Sequence, residues 1–263
     1  MAVLGIPCDE NSSFLRGAAL APPRIREAFH SDSANSWSES GIDLGESGVI
    51  FDAGDLDFQT ASSHFEEIES AVALLLENGL APICLGGDHA VTYPIIKACR
   101  KHYPRLNLLQ FDAHPDLYDE LLGNRFSHAS PFARIMESGL ADRLVQVGIR
   151  TMTGHQRVQA ERFGVEVHEM KDWQGSLALE FDAPLYITID LDGLDPAFAP
   201  GVSHHEPGGL STREVIRVLH AAKAPRVIGA DIVELNPLRD VNDMTAMVAA
   251  KLLKEVAAKM LPR

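Results

Sequence analysis

The chain reads as an α/β protein built on a parallel sheet with helices against both faces. Three observations predict this class. Short β-rich runs alternate with longer helical patterns along the whole sequence. Several of those runs, among them LNLLQF at 106–111 and PLYITI at 184–189, lack strict alternation, as strands covered on both faces do. Clusters of Asp and His follow such runs directly, where open parallel sheets place their ligand crevice.

In chain order, the first strand is 2–6, the β-rich run AVLGI. Residues 31–47 are dense in Ser, Gly and acidic groups, and read as a long surface loop with little intrinsic order. A second strand, 48–53, leads into a helix at 63–78. A third strand at 82–85 precedes a helix at 92–102, and a fourth at 107–111 precedes a helix at 130–138. Strands at 144–148 and 164–168 bracket a helix at 153–163. The seventh strand is 185–189. Ser211 and Glu214 form a capping-box pattern that opens a helix at 211–222. The last strand is 226–230, and the final helix, 244–260, is rich in Ala and Leu. No internal repeat, linker or low-complexity tract interrupts this order, so a single domain spanning 1–263 is expected.

Composition excludes several classes of function. Apolar residues make up 46% and charged residues 23%, the balance of an ordinary globular protein. A formal charge of −14 argues against nucleic-acid binding, which depends on Lys and Arg neutralising phosphates, and favours cationic ligands. No apolar run approaches the length that spans a bilayer, so no membrane partner is expected. Cys8, Cys84 and Cys99 are odd in number and lack zinc-type spacing, which fits a reducing compartment. Residues 1–8 lack a basic region and meet Asp9 and Glu10 at once, so a cytoplasmic location is expected.

The chemistry concentrates in four places: GGDH at 86–89, DAHPD at 112–116, Asp190 with Asp192, and Glu234. If the chain leaves the fourth strand still extended, Asp112, His114 and Asp116 project to one side. Each element has an ordinary alternative. His89 after two glycines is compatible with a loop cap, Asp190 and Asp192 before Gly193 with a turn, Glu234 with a solvated carboxylate, and His128 with a structural imidazole. Coincidence of all four at strand ends favours one shared cavity. Four converging carboxylates demand positive charge, most economically a pair of divalent ions. The ligand set is then His89, Asp112, His114, Asp116, Asp190 and Asp192. Oxygen and imidazole donors without thiolate favour Mn²⁺. Two such ions about 3.5 Å apart activate water at neutral pH, and Asp116 is placed both to bind metal and to orient that nucleophile. The adjacent His204 and His205 read as a surface or pocket-rim pair.

These motifs carry a family resemblance. GGDH, DAHPD and IDLDGLDPAFAPG at 189–201 resemble the three signatures of the ureohydrolases, the arginase and agmatinase family. The resemblance extends through GIPCDENSSFLRGAALAPPRIR at 5–26, SHASPFARIMESG at 127–139 and ELNPLRDVNDMTAMVAAKLLKE at 234–255. The stretch SHHEPGGLS at 203–211 is most similar to plant-type arginases. The resemblance implies a three-layer fold with an eight-stranded parallel sheet between helices, and two Mn²⁺ per chain on those six ligands. It assigns Glu234 to a small cationic guanidino substrate and His128 to proton transfer, and implies a homo-oligomer, trimeric or hexameric. L-Arginine, cleaved to urea and L-ornithine, is the leading substrate. Agmatine, another guanidino compound, and a non-catalytic metal-binding regulator remain the alternatives. One departure bears on the choice: after Gly148, Ile149 and Arg150, where animal arginases carry an acidic reader of the substrate ammonium, this chain has Thr151, Met152 and Thr153.

Overall fold

The computed structural model describes residues 1–46, 48–58 and 63–261. Its centre is a sheet of eight strands: β1 Ala2–Gly5, β2 Phe51–Asp55, β3 Pro82–Leu85, β4 Asn107–Phe111, β5 Arg143–Ile149, β6 Glu166–Glu169, β7 Leu185–Asp190 and β8 Val227–Val233. Every pairing is parallel, in the order β2-β1-β3-β8-β7-β4-β5-β6. Among the described residues seven α-helices flank it: α1 Ala21–Phe29, α2 His64–Glu77, α3 Thr92–His102, α4 Pro131–Glu137, α5 Gly154–Phe163, α6 Thr212–Ala221 and α7 Met244–Met260.

Alternate strand residues feed two cores. Leu109, Ile187 and Ile232 pack with Ile25 of α1, Val215 of α6 and Leu252 of α7. Leu108, Tyr186 and Cys84 pack with Val72 of α2, Ile95 of α3, Phe132 of α4 and Ala160 of α5. Burial on both faces explains why β4 and β7 lack alternation. Each fully covered aliphatic side chain contributes about 1.5–3 kcal/mol, and truncating one such as Ile187 to Ala costs about 2–5 kcal/mol.

Local signals set the helix ends. Ser211 and Glu214 form the expected capping box, and Thr153 with Gln156 forms a second one at the start of α5. The helix α5 stops at Gly164, whose φ of 64° is left-handed. Several expectations need correction. No helix is expected at 21–29, yet α1 forms there, with Pro22 and Pro23 in its first turn, where a missing N–H costs nothing. β2 starts at Phe51 rather than at 48, as a polar, exposed edge strand with no burial pattern to mark it. β8 runs on to Val233, which carries Glu234 directly to the sheet's edge. The 31–47 loop is better ordered than its composition suggests, although Ser47 lies outside the described residues. Leu44 is buried, Glu39 pairs with Arg213 and Lys251, and the Glu39 N–H donates to Glu255 Oε1 at 2.9 Å.

Candidate metal centre

The four middle strands, β3, β8, β7 and β4, are neighbours, and their carboxyl ends deliver the predicted residues to one place. His89 comes from a short 3-10 turn after β3, Glu234 follows β8, Asp190 ends β7, and Asp112 follows β4. The exit from β3 passes so close to the chain after β1 that a Cβ on Gly87 would meet the Cys8 carbonyl oxygen at 1.7 Å. Asp88 then caps the turn, accepting the Ala90 N–H at 3.1 Å, and fixes the direction of His89.

The expectation of an extended 112–116 segment is corrected. β4 ends at Phe111, and Asp112 Oδ1 accepts the His114 N–H at 2.6 Å, an Asx turn that bends the chain. Asp116 has a left-handed φ of 48°, and Glu234 one of 64°. Asp190 repeats the device, accepting the Asp192 N–H at 2.8 Å. Convergence thus arises from turns rather than from the pleat. Two polar side chains inside the sheet hold the first turn: Gln110 Nε2 donates to Asp112 Oδ2 at 2.7 Å, and Gln146 Nε2 donates to the Pro115 carbonyl at 2.7 Å.

All six predicted ligands come together. His89 Nδ1 lies 3.0 Å from Asp112 Oδ2, 3.1 Å from Asp116 Oδ2 and 3.2 Å from Asp190 Oδ2. His114 Nδ1 lies 3.1 Å from Asp192 Oδ2 and 3.6 Å from Asp112 Oδ1. Two donor groups, His89 with Asp112 and Asp116, and Asp112 with His114 and Asp192, therefore share Asp112. Despite three carboxylates around it, the buried Nδ1 of His89 makes no hydrogen bond of acceptable geometry. Its other nitrogen, Nε2, is engaged by Thr188 Oγ1 at 2.9 Å, which fixes the ring. A nitrogen aimed between three carboxyl groups, with none of them in hydrogen-bonding geometry, fits a bound cation.

Electrostatics lead to the same conclusion. Burial, then the neighbouring Asp112 charge, pushes Asp116 up to about 7, and burial with Asp192 and Asp112 raises Asp190 well above the carboxylate range. Burial opposes the charged form of His114, yet Asp192 and Asp112 push it up to about 12. Burial likewise opposes ionisation of Asp112, but His114 and His89 hold it below the usual range. Without added cations the cluster retains protons to offset its own charge. Divalent ions would displace those protons.

Glu234 and His128 stand beside this cluster. Glu234 is 3% exposed, and its Oε1 accepts the His89 N–H at 3.0 Å and meets His128 Nδ1 at 3.0 Å. Burial works against the His128 cation, but Glu234 prevails and pushes its pKa up to about 9. The opposite His128 nitrogen, Nε2, lies 2.8 Å from Ser13 Oγ. His128 lines a cavity of about 220 Å³ together with His114, Asp116, Asp190 and Asp192 and with Ser13, Tyr118, Thr151 and Gln156, and Glu234 stands behind it through its contact with His128. His204 is part of its wall, its ring 5.0 Å from that of His128, while the exposed His205 turns to the Pro200 carbonyl. Ser13, Tyr118 and Gln156 were not anticipated. None belongs to an acidic or histidine cluster, so only the fold brings them in.

Comparison with known proteins agrees with this geometry. The chain is 49% identical over 276 residues to "Arginase 1, mitochondrial" of Arabidopsis thaliana, covering 98% of this chain and 80% of that one. It is 32% identical over 277 residues to "Agmatinase, mitochondrial" of Gallus gallus, covering 97% and 79%. Its fold matches "Arginase from Medicago truncatula" with a TM-score of 0.93 at 44% identity, covering 98% and 86%. The expectation of a cytoplasmic location is overturned by these names, since relatives from Arabidopsis thaliana, Oryza sativa and Medicago truncatula are called mitochondrial or chloroplastic/mitochondrial. Buried free thiols fit any reducing compartment and do not single out the cytoplasm. A family model described as "Arginase family" matches residues 1–258, nearly the whole length, and the chain belongs to the arginase family of hydrolases.

Proposed function

We propose that this chain, acting as one domain, hydrolyses L-arginine to L-ornithine and urea with two Mn²⁺ bound by His89, Asp112, His114, Asp116, Asp190 and Asp192. The observation that carries the reading is the pair of donor groups sharing Asp112, with His89 Nδ1 aimed between three carboxylates. Imidazole and carboxylate donors suit Mn²⁺. When bound, such ions supply the activation that neutral water lacks toward a resonance-stabilised guanidinium carbon.

The chain's own residues do the rest. Glu234, deeply buried and ionised against His128, holds the cationic guanidinium over the carboxylate cluster. Asp116 projects into the same cavity and orients the attacking water. His128, kept cationic by Glu234, exchanges its proton at Nε2, where Ser13 Oγ now sits, with the departing amine. The polar wall of Ser13, Tyr118, Thr151 and Gln156 offers hydrogen bonds to the α-amino and α-carboxylate groups.

Agmatine is the second reading, favoured by one observation: Thr151 to Thr153 place no carboxylate near the cavity to pair an α-ammonium. Urea release from Mn²⁺-reconstituted protein, measured with L-arginine, agmatine, 4-guanidinobutyrate and guanidine, separates them. A site that hydrogen-bonds the α-groups rejects agmatine by about 10⁴-fold in kcat/KM, because its polar groups would be left unpaired. A preference for agmatine, or silence toward both, overturns the arginine reading.

A further inference from the structure

Outside the carboxylate cluster, the described residues bring one more set of metal-type donors together: Cys8, Glu10 and His64. Cys8 and Glu10 lie in the segment that leaves β1, and His64 is the first residue of α2. His64 Nδ1 lies 3.7 Å from Cys8 Sγ and 3.1 Å from Glu10 Oε1. The important detail is that one nitrogen faces both partners. An imidazole nitrogen carries either one hydrogen or one lone pair, so it serves one of them and leaves the other facing it badly. A cation at the centre satisfies all three.

The distances suit a tetrahedral ion. With ion–sulfur and ion–nitrogen bonds of about 2.3 and 2.0 Å, tetrahedral angles set the sulfur and nitrogen about 3.5 Å apart, and nitrogen and oxygen about 3.3 Å apart. Phe58 packs on the His64 ring with centroids 4.4 Å apart and holds its plane. Cys8 is 3% exposed, whereas the Glu10 side chain is 49% exposed, so the group has a closed inner end and an open entrance. We infer that Cys8, Glu10 and His64 form a separate site for one borderline-soft divalent cation of the Zn²⁺ or Co²⁺ type, with water as the fourth ligand. Binding breaks the Cys8 S–H bond, forms a sulfur–metal bond and releases the proton to solvent.

Such an ion would tie the segment after β1 to α2. The same segment carries Asn11, whose N–H donates to Asp88 Oδ2 at 2.9 Å, and Ser13, which meets His128. The site is thus mechanically linked to the cavity wall without sharing a ligand with it.

Co²⁺ makes the test specific. The six residues assigned to the carboxylate cluster contain no sulfur, and Cys84 and Cys99 are fully buried and join no donor group among the described residues. A thiolate-to-cobalt charge-transfer band in the full-length protein titrated with Co²⁺ therefore reports Cys8 alone. The band should saturate at one sulfur-bound ion per chain, vanish in Cys8→Ser, and need at least tenfold more Co²⁺ in His64→Gln. His64→Gln leaves the thiol in place, so it also serves if Cys8→Ser fails to fold. Absence of the band in the unsubstituted protein, or its survival in folded Cys8→Ser or unchanged in His64→Gln, overturns the inference.

Discussion

Replacing Glu234 with Gln isolates the charge that the proposed mechanism places against the substrate. The change keeps the shape and removes one negative charge from a side chain that is 3% exposed. Two effects follow, and they differ in size. Within the protein, Oε1 loses its charge toward the His89 N–H and His128 Nδ1, both 3.0 Å away. Hydrogen bonds to a charged group contribute about 1.5–3 kcal/mol and neutral ones about 0.5–1.5 kcal/mol, so the pair loses about 2 kcal/mol. For a chain of this length that lowers Tm by about 4–8 °C. Toward a bound guanidinium, a unit charge at about 4 Å with an effective dielectric of about 20 contributes roughly 4 kcal/mol. Loss of that interaction slows turnover by about 10³-fold. The assay has three parts: urea release, elemental analysis of desalted protein for two Mn²⁺ per chain, and calorimetry for Tm. Metal content should be unchanged. A rate within tenfold of the original, or loss of the ions, would refute the role assigned to Glu234.

Three further outcomes are expected. In the metal-free chain His128 has its pKa raised from 6.5 to about 9, so it binds its proton more tightly when folded than when unfolded. The resulting stability, about 3 kcal/mol, is fully present below about pH 6.5 and is lost as pH rises through about 9. Denaturation of chelator-treated protein should therefore show the gap between the native chain and Glu234→Gln shrinking from about pH 6 to about pH 10; a constant gap contradicts the pairing. Thr188→Val removes the hydrogen bond to His89 Nε2 and should weaken metal affinity by about 10–100-fold in a chelator competition, with a fall in Tm because the buried imidazole nitrogen loses its partner. Gly87→Ala places a methyl group 1.7 Å from the Cys8 carbonyl oxygen, which is backbone and cannot rotate away, and should destabilise the fold by more than about 4 kcal/mol. Soluble Gly87→Ala protein with native Tm would show that the two segments are not in contact.

What the sequence made legible was whatever could be written as a run. Apolar stretches announced β4 and β7, and Ser211 with Glu214 announced α6, because burial and capping are local demands. The donors at the strand ends could be listed from the same map. What brings them together is the strand order, in which β8 and β7 lie between β3 and β4, and that is settled by packing of residues far apart in sequence. The role of Gln110 is invisible in the run that contains it, because the turn its side chain supports forms beyond the strand. The start of α1 carries an ambiguous mark, since proline signals a start as well as a stop. Ser13 reaches the cavity from a loop, and no periodicity marks a loop residue as facing inward.

The left-handed backbones of Asp116 and Glu234 set two aims of the molecule against each other. A non-glycine residue held there costs of order 1–3 kcal/mol, and Glu, with a long side chain and no local hydrogen bond to favour the conformation, is poorly suited to it. Glycine at both positions would relieve that strain, but at Glu234 it would also remove the buried hydrogen bonds to the His89 N–H and His128, along with a carboxylate on which the proposed reaction depends. The site is therefore a place where the sequence accepts backbone strain, tolerated because the sheet beneath it is rigid on both faces. Attempts to stabilise this enzyme by substituting toward relaxed backbone geometry should spare these two positions, since there the strain and the proposed function reside in the same residues.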